Sequence, residues 1–257
     1  MHNFEYVRGL LQNYEAAVID RQISPNDAMN NQWYFPVGRS AVQNIALACL
    51  ASKLQTVTKV LDMPCGHGRV LRHLVHLFPG AEVHACDLDK DGVQFCAATF
   101  GAKPVYSREE LTEVDFGSTY DIIWVGSLFT HVAHDVAKRW LAHLAKFLNP
   151  QGIVVATLHG RWSQYVHKVA PYIDEHQWQG ILEDYSTLGY GYRDYSKQES
   201  HSYISGSYGI SLAKPHVIIR DLESLPNVRI YLYRERGFAD HQDVVVFGCP
   251  SYDEPWA

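Results

Sequence analysis

Two glycines one residue apart stand between an apolar segment and a helical pattern in the stretch VLDMPCGHGRVLRHL, residues 60–74. Gly66 and Gly68 can adopt positive φ angles and allow a ligand to approach the backbone without meeting a Cβ atom. The N–H groups at the start of the following helix attract a carboxylate or a phosphate. The pattern is typical of a nucleotide-binding turn, although a plain tight turn without a ligand has the same composition.

Three ligand classes compete for this turn. The dinucleotide pattern GxGxxG begins correctly, but its third glycine would fall at Leu71, which weakens an assignment to NAD or FAD. The phosphate loop GxxxxGK[ST] does not occur in the sequence, which argues against ATP chemistry. The third interpretation takes in two acids, because Asp62 ends the first apolar segment and Asp87 ends the next one.

Histidines follow later apolar segments and supply candidates for proton transfer. His131 and His159 each follow such a segment, and His241 precedes Asp243 in the C-terminal region. Imidazole titrates near neutral pH and can take a proton from an acceptor hydroxyl. His131 is a catalytic candidate because it lies just beyond the fourth apolar segment. His241 and Asp243 are candidates because a His-x-Asp spacing on a strand puts both side chains on one face. The alternatives are a helix-start histidine for His131 and an exposed hairpin tip for the other two.

His131, His134 and Asp135 follow one another at the three- and four-residue steps that bring helix side chains together. A metal site needs more ligands at such spacing, and no further cluster accompanies them. We therefore predict no metal.

Short apolar segments alternate with helical patterns: KVLDM, EVHACDL, KPVYS, DIIWVGS and GIVVATL. This alternation predicts a doubly wound α/β fold with a parallel sheet. The last segment, VRIYLYRERGFADHQDVVVFGCP, predicts an antiparallel hairpin at the sheet edge. Apolar spacing also predicts helices over residues 4–18 and 40–54.

Composition narrows the class of protein. The net charge of −6 gives no general attraction to nucleic acid or to an anionic membrane. No apolar run of eighteen residues occurs, and the N-terminus lacks the basic start and apolar centre of a secretory signal. The five cysteines are odd in number and scattered, which suits reduced thiols. We expect a cytoplasmic protein with neither a nucleic-acid nor a membrane partner.

The ordered set of Asp62, Gly66, Gly68 and Asp87 resembles the first motif and second acid of class I S-adenosylmethionine (SAM)-dependent methyltransferases, although Pro64 replaces the usual first glycine. YDIIWVGSLFTHV, LNPQGIVVATL and the closing hairpin are similar to later segments of that family. The stretches WYFPVGRSAVQNI, WVGSLFTHV, GSYGISL and FADHQDVVVF resemble a bacterial subgroup often associated with glycan or glycosyltransferase genes.

The resemblance implies a Rossmann-like, doubly wound, seven-stranded sheet, mostly parallel with an antiparallel C-terminal hairpin, plus N-terminal helices and an insert before the last two strands. It implies SAM as the cofactor and S-adenosylhomocysteine as the product. Asp87 is expected to bind the ribose hydroxyls, and Asp62 to order the turn or the methionine ammonium. The implied cofactor-binding residues are Asp62, Cys65, Gly66, Gly68, Asp87, Leu88 and Ser127.

We divide the chain into an N-terminal helical extension (1–37), a SAM-binding core (38–160 and 215–250) and an insert (161–214). The insert is rich in Tyr and Gly, and a tyrosine ring with its hydroxyl suits sugars and other rings, so we expect it to cover the acceptor. A contact in a homodimer is the alternative.

The predicted function is methyl transfer (EC 2.1.1 class) to a small molecule or glycan, at oxygen. A SAM-fold binding or assembly protein without turnover and an NAD-dependent oxidoreductase are the alternatives.

Overall fold

The computed structural model describes residues 2–195 and 208–250. A short 3-10 helix, Leu111–Glu113, precedes the fourth strand. In chain order the helices and strands are α1 (His2–Ala16), α2 (Tyr34–Ser52), β1 (Lys59–Met63), α3 (Leu71–Leu77), β2 (Glu82–Asp87), α4 (Lys90–Phe100), β3 (Lys103–Tyr106), β4 (Tyr120–Val125), α5 (His134–Ala145), β5 (Leu148–Leu158), α6 (Ser163–Val169), α7 (Glu175–Leu188), β6 (Tyr190–Asp194), β7 (Gly209–Ala213), α8 (Pro215–Glu223), β8 (Arg229–Phe238) and β9 (Gln242–Gly248).

The main sheet has seven strands in the order β3-β2-β1-β4-β5-β9-β8. The first five in that order pair in parallel, and β9 pairs antiparallel with both β5 and β8. The predicted fold class and the closing hairpin are therefore confirmed. The chain order reverses between β1 and β4, and in open α/β sheets the crevice at that point, at the carboxyl ends of the strands, is where ligands bind.

Both faces of the sheet are covered, as a parallel sheet requires. On one face Val60 and Trp124 pack in a core with residues of α1, α2, α3 and α4. On the other face Leu61 and Ile123 pack with residues of α5 and α8. Neighbouring residues of one strand enter opposite cores because side chains alternate along a strand.

The insert forms a layer of its own. β6 and β7 make a two-stranded antiparallel sheet, and α7 packs against it through Trp178, Ile181, Ile210 and Leu212. Residues 196–207 of the predicted insert, Tyr203 among them, lie outside the described part of the chain. The described residues include no helix long and apolar enough to cross a membrane.

α2 begins at Tyr34, six residues before the predicted start. Local spacing does not predict a helix start within WYFP. Pro36 is tolerated only in the first turn of a helix, and the aromatic residues interrupt the amphipathic period. Tyr34 is nevertheless buried, and its hydroxyl donates to Asp27 Oδ2 at 2.6 Å. A long-range contact thus sets a boundary that local spacing does not reveal.

His73 on α3 is buried against the first two helices. Its Nδ1 lies 2.7 Å from the Tyr14 hydroxyl, and a Cβ atom at Gly38 would meet its ring at 2.2 Å. Burial, reinforced by nearby Arg72, lowers the pKa of His73 from 6.5 to about 4. The folded protein therefore keeps this ring neutral where the unfolded chain takes up a proton.

We predict that His73 makes the protein less stable as the pH falls from about 6.5 towards 4, since only the unfolded state then gains the proton. Between pH 7 and pH 5 this costs about 2 kcal/mol of the free energy of unfolding. Urea denaturation of His73→Gln at both pH values should show a smaller loss than wild type. The exposed His176→Gln is the control, and an equal loss in wild type and His73→Gln would contradict the prediction.

Candidate active site

A cavity of about 560 Å³ opens at the carboxyl edge of the sheet. Its wall is formed by the glycine turn after β1, the ends of β2 and β4, the turn between β8 and β9, and the insert. This volume lies within the range usual for small-molecule sites. The predicted residues that line the cavity are Cys65, Gly66, Asp87, Leu88, Ser127, His131, His159 and His241.

The glycine turn needs glycine at both positions for different reasons. Gly66 has φ +49°, and an added Cβ would meet no atom within 4 Å, so its backbone conformation is the constraint. Gly68 has φ +81°, and its Cβ would lie 2.6 Å from the Phe100 ring. A Cβ at Gly92 on α4 would lie 2.4 Å from the Gly66 carbonyl oxygen. The second strand-to-helix unit therefore packs tightly against the turn.

Asp87 ties the glycine turn to the end of β2. Its Oδ2 accepts from the Gly66 N–H at 2.7 Å, and its Oδ1 accepts from the Asp89 N–H at 2.9 Å. Burial raises the pKa of Asp87, and these backbone hydrogen bonds oppose that rise. Asp89 in turn caps α4 by accepting from the Asp91 N–H. Asp87 thus shapes the turn as well as lining the cavity.

Asp62 lies beneath the turn and is 1% exposed. Neither of its carboxylate oxygens has a hydrogen-bond partner among the described residues. Burial, followed by the nearby charge of Asp87, raises the pKa of Asp62 well above its usual range. Asp62 is not part of the cavity wall itself, although it was predicted to bind the cofactor.

Arg69 and Asp27 line the cavity, and sequence reasoning missed both. Burial lowers the pKa of the Arg69 guanidinium, while the charges of Asp27 and Asp62 oppose that effect. The position of Arg69 directly after the second glycine was an available signal. Asp27 had none, because a long-range network brings its segment to the cavity.

The ends of β4, β5 and β9 are joined by side-chain hydrogen bonds around Ser127. The Ser127 N–H donates to Thr157 Oγ1 at 2.8 Å, and that hydroxyl donates to Gln242 Oε1 at 2.6 Å. Gln242 Nε2 donates back to Ser127 Oγ at 3.0 Å. Ser127 has φ +62°, a strained conformation for a residue other than glycine, and these bonds hold it at the cavity wall.

Three histidines from three loops meet at the other end of the cavity. The ring centroids of His131 and His159 are 6.4 Å apart, and those of His159 and His241 are 5.1 Å apart. Burial lowers the pKa of His159 well below its usual value and also lowers the pKa of His241. His159 is 3% exposed, although it lies in the loop after β5. His159 and His241 are therefore neutral at neutral pH.

Tyrosines surround these histidines. The Tyr172 hydroxyl hydrogen-bonds to His241 Nε2, and the ring of Tyr208 stacks on His131 with centroids 4.6 Å apart. Tyr195 also lines the cavity. The insert thus contributes to the wall on the histidine side.

Asp243 is buried away from this cluster. Its Oδ2 accepts from the Tyr233 hydroxyl at 2.9 Å, and its Oδ1 accepts from the Arg236 N–H at 3.0 Å. It is not among the cavity-lining residues, whereas His241 is. The described contacts therefore do not pair Asp243 with His241, and the hydrogen-bond partner of His241 is Tyr172. His241 lies in the turn before β9 (Gln242–Gly248), so the His-x-Asp spacing does not place both side chains on one strand face.

His131, His134 and Asp135 have different side-chain partners in the structure and do not form one cluster. His134 hydrogen-bonds to Asp221, and Asp135 pairs with Arg139. Within residues 2–195 and 208–250, no three His, Cys, Asp or Glu side chains are grouped so that they could hold a metal ion.

Residues 61–154 match a family model described as a methyltransferase domain. No curated protein matches the sequence significantly. Among solved structures, a SAM-dependent methyltransferase from Clostridium acetobutylicum ATCC 824 is similar, with a TM-score of 0.54 and 12% identity over 87% of this chain and 94% of that one.

The names of two further similar structures specify different methylated atoms, oxygen in one and nitrogen in the other. An O-methyltransferase family protein from Burkholderia thailandensis has a TM-score of 0.53 at 12% identity, covering 98% of this chain and 69% of that chain. The glycopeptide N-methyltransferase MtfA complexed with sinefungin has a TM-score of 0.52 at 12% identity, covering 82% and 87%. The resemblance inferred from Asp62, the two glycines and Asp87 is thus confirmed for the fold: the chain has the fold of the SAM-dependent methyltransferases, and residues 61–154 match the model of a methyltransferase domain.

Proposed function

We propose that this protein is a SAM-dependent methyltransferase that transfers a methyl group to a hydroxyl of a small molecule or glycan. The observation that carries the proposal is that one cavity joins the glycine turn and Asp87 to a cluster of histidines. The methyltransferase domain in residues 61–154 supports the cofactor half of this proposal.

The cofactor end of the cavity, which is formed by the glycine turn, Asp87 and Arg69, suits the chemical groups of SAM. Asp87 retains lone pairs beyond its two backbone hydrogen bonds and would accept from the ribose hydroxyls. Arg69 would pair with the methionine carboxylate. The partnerless carboxylate of Asp62 beneath the turn favours a cation nearby, as the ammonium and sulfonium provide. Cys65, Gly66, Leu88 and Ser127 would complete the binding surface, and Gly68, which does not line the cavity, would shape the turn.

The other end suits an uncharged acceptor. Among the described residues that line the cavity, the acids are Asp27, Asp87 and Glu109, and all three lie on segments of the cofactor half. The acceptor end is built from imidazole, tyrosine and amide groups, which favours a hydroxyl compound over a cationic amine.

Oxygen methylation needs a base, because an alcohol hydroxyl becomes a good nucleophile only as its proton leaves. Bound SAM supplies a methyl carbon activated by a positively charged sulfur. We assign His131 as the group that takes the proton, since its Nδ1 is 2.8 Å from the Gly209 carbonyl and its other nitrogen is then the basic one. His241, held by Tyr172, lies at the same end of the cavity.

The alternatives make different demands on the structure. A dinucleotide site would use a third glycine where Leu71 is fully buried in the core. A binding or assembly protein without turnover would keep the cofactor end and have no use for the histidine cluster. Binding and turnover measurements separate the three.

Calorimetry should detect binding of SAM or S-adenosylhomocysteine and no binding of NAD. We expect Asp87→Ala to weaken SAM binding at least about tenfold, since hydrogen bonds to a charged group are worth about 1.5–3 kcal/mol. Asp115→Ala is the matched control, because that exposed carboxylate also accepts a backbone N–H but lies outside the cavity wall. Equal affinities for the two variants would place the ribose contact elsewhere.

Incubation with methyl-labelled SAM and a cell extract, followed by mass spectrometry, should show label on an oxygen atom of a small molecule or glycan. We expect His131→Ala to lower turnover at least about 100-fold while SAM affinity is retained, since a positioned base contributes that much. His176→Ala serves as the control. Label on nitrogen would refute the hydroxyl acceptor, and SAM binding with no labelled product would support the non-enzymatic alternative.

A further inference from the structure

The segment after β4 is hydrogen-bonded to β7 of the insert along its length. The Gly209 N–H donates to the His131 carbonyl at 3.1 Å, and the Ser211 N–H donates to the Thr130 carbonyl at 2.9 Å. Ser211 Oγ donates to the Phe129 carbonyl at 2.8 Å. The insert is therefore fixed to the loop that carries His131 by main-chain bonds, independently of the imidazole.

The imidazole adds a bond of its own to the same residue. His131 Nδ1 lies 2.8 Å from the Gly209 carbonyl oxygen, and a carbonyl can only accept. Nδ1 must therefore carry the hydrogen, and in the neutral ring Nε2 then carries the lone pair. The Tyr195 hydroxyl is 3.5 Å from the same Nδ1, too far to compete with the carbonyl.

Residue 209 cannot bear a side chain without moving this carbonyl. A Cβ atom there would lie 2.0 Å from the Arg193 carbonyl oxygen, across the pairing of β6 with β7. The clash is with backbone, which has no flexible end to move aside. Tyr208, the preceding residue, stacks on the imidazole with its plane inclined by 29°. Position and orientation of the ring are thus both set by the insert.

We propose that Gly209 is a positioning residue whose carbonyl holds His131 in the Nδ1–H tautomer, so that the insert prepares the base as well as covering the acceptor. In the transfer step, which rests on the proposed function, the acceptor oxygen bonds to the methyl carbon and the C–S electron pair stays on sulfur. The hydroxyl proton passes to His131 Nε2. The resulting imidazolium then makes a charge-assisted hydrogen bond to Gly209, which is stronger than the neutral one.

The tautomer is measurable without any acceptor. We expect long-range ¹H–¹⁵N correlation spectra of the histidine-labelled protein, at a pH where His131 is neutral, to show a protonated Nδ1 and an unprotonated Nε2. His131→Asn assigns the signals by removing them. Tyr195→Phe should leave the pattern unchanged. A protonated Nε2 in the wild type would overturn the proposal, whether or not the protein transfers methyl groups.

Gly209→Ala and Gly191→Ala form a matched pair of variants. A Cβ at Gly191 would lie 2.1 Å from the Ile181 carbonyl oxygen, so both variants strain the same hairpin, but Gly191 makes no bond to His131. We expect Gly209→Ala to give mixed tautomer signals and Gly191→Ala to keep the wild-type pattern. Identical tautomer patterns in the two folded variants would overturn the role of Gly209.

Turnover supplies the second readout. At equal folded fraction, kcat should fall at least about tenfold in Gly209→Ala relative to Gly191→Ala, with SAM affinity the same in both. Equal kcat values would contradict the positioning role. If wild-type protein binds SAM and labels nothing, the proposed function fails while the tautomer result stands on its own.

Discussion

The buried guanidinium of Arg72 imposes a constraint on which the architecture of the cavity depends. Its side chain is fully buried, and a buried charge is tolerated only when its donors are satisfied. Nε donates to the Gly68 carbonyl, and Nη1 donates to the carbonyls of Asp20 and Gln22. Nη2 donates to the Tyr34 hydroxyl. One residue of α3 thus requires the N-terminal extension to fold back over the glycine turn.

This fold-back explains why Asp27 reaches the cavity. Tyr34, which accepts from Arg72, also donates to Asp27 Oδ2, and Asn26 donates to Asp91 at the start of α4. The segment before α2 is therefore attached to the turn on one side and to α4 on the other. Residues 1–37 were predicted as an N-terminal helical extension, and Asp27, Met29 and Val37 of that extension line the cavity.

The sequence predicts the cofactor half well, because its signals are local. Each parallel strand is a short apolar run, and Asp62, Gly66, Gly68 and Asp87 lie at strand ends, where neighbouring strands converge. The glycines stay identifiable because glycine adopts positive φ angles most easily and because a Cβ at Gly68 would clash with Phe100. Pattern and geometry agree here because backbone constraints dictate the residue type.

The acceptor half could be predicted only as a set of candidate residues. His131 meets Gly209 across 78 positions, and both partners in that bond use atoms or residue types that carry no distinctive spacing. Asp243 is a second example. Period-two spacing places it on a strand face but does not identify Tyr233 as its hydrogen-bond partner. Hydrogen bonds between residues so distant in the sequence depend on tertiary packing, which local spacing does not encode.

The two halves of the cavity differ in how they stabilise charge. The cofactor half contains three buried ionisable groups, Asp62, Arg69 and Asp87. Burial raises the pKa of both carboxyl groups and lowers that of the guanidinium, so each group favours its neutral form unless a complementary charge lies nearby. At the histidine end, burial keeps His159 and His241 neutral. A proton taken up there disfavours a second one on the neighbouring rings, since the imidazoles lie only 5 to 6 Å apart. The proposed base must therefore release its proton before the next turnover, and the insert that orients it also forms part of the cavity wall beside the three rings.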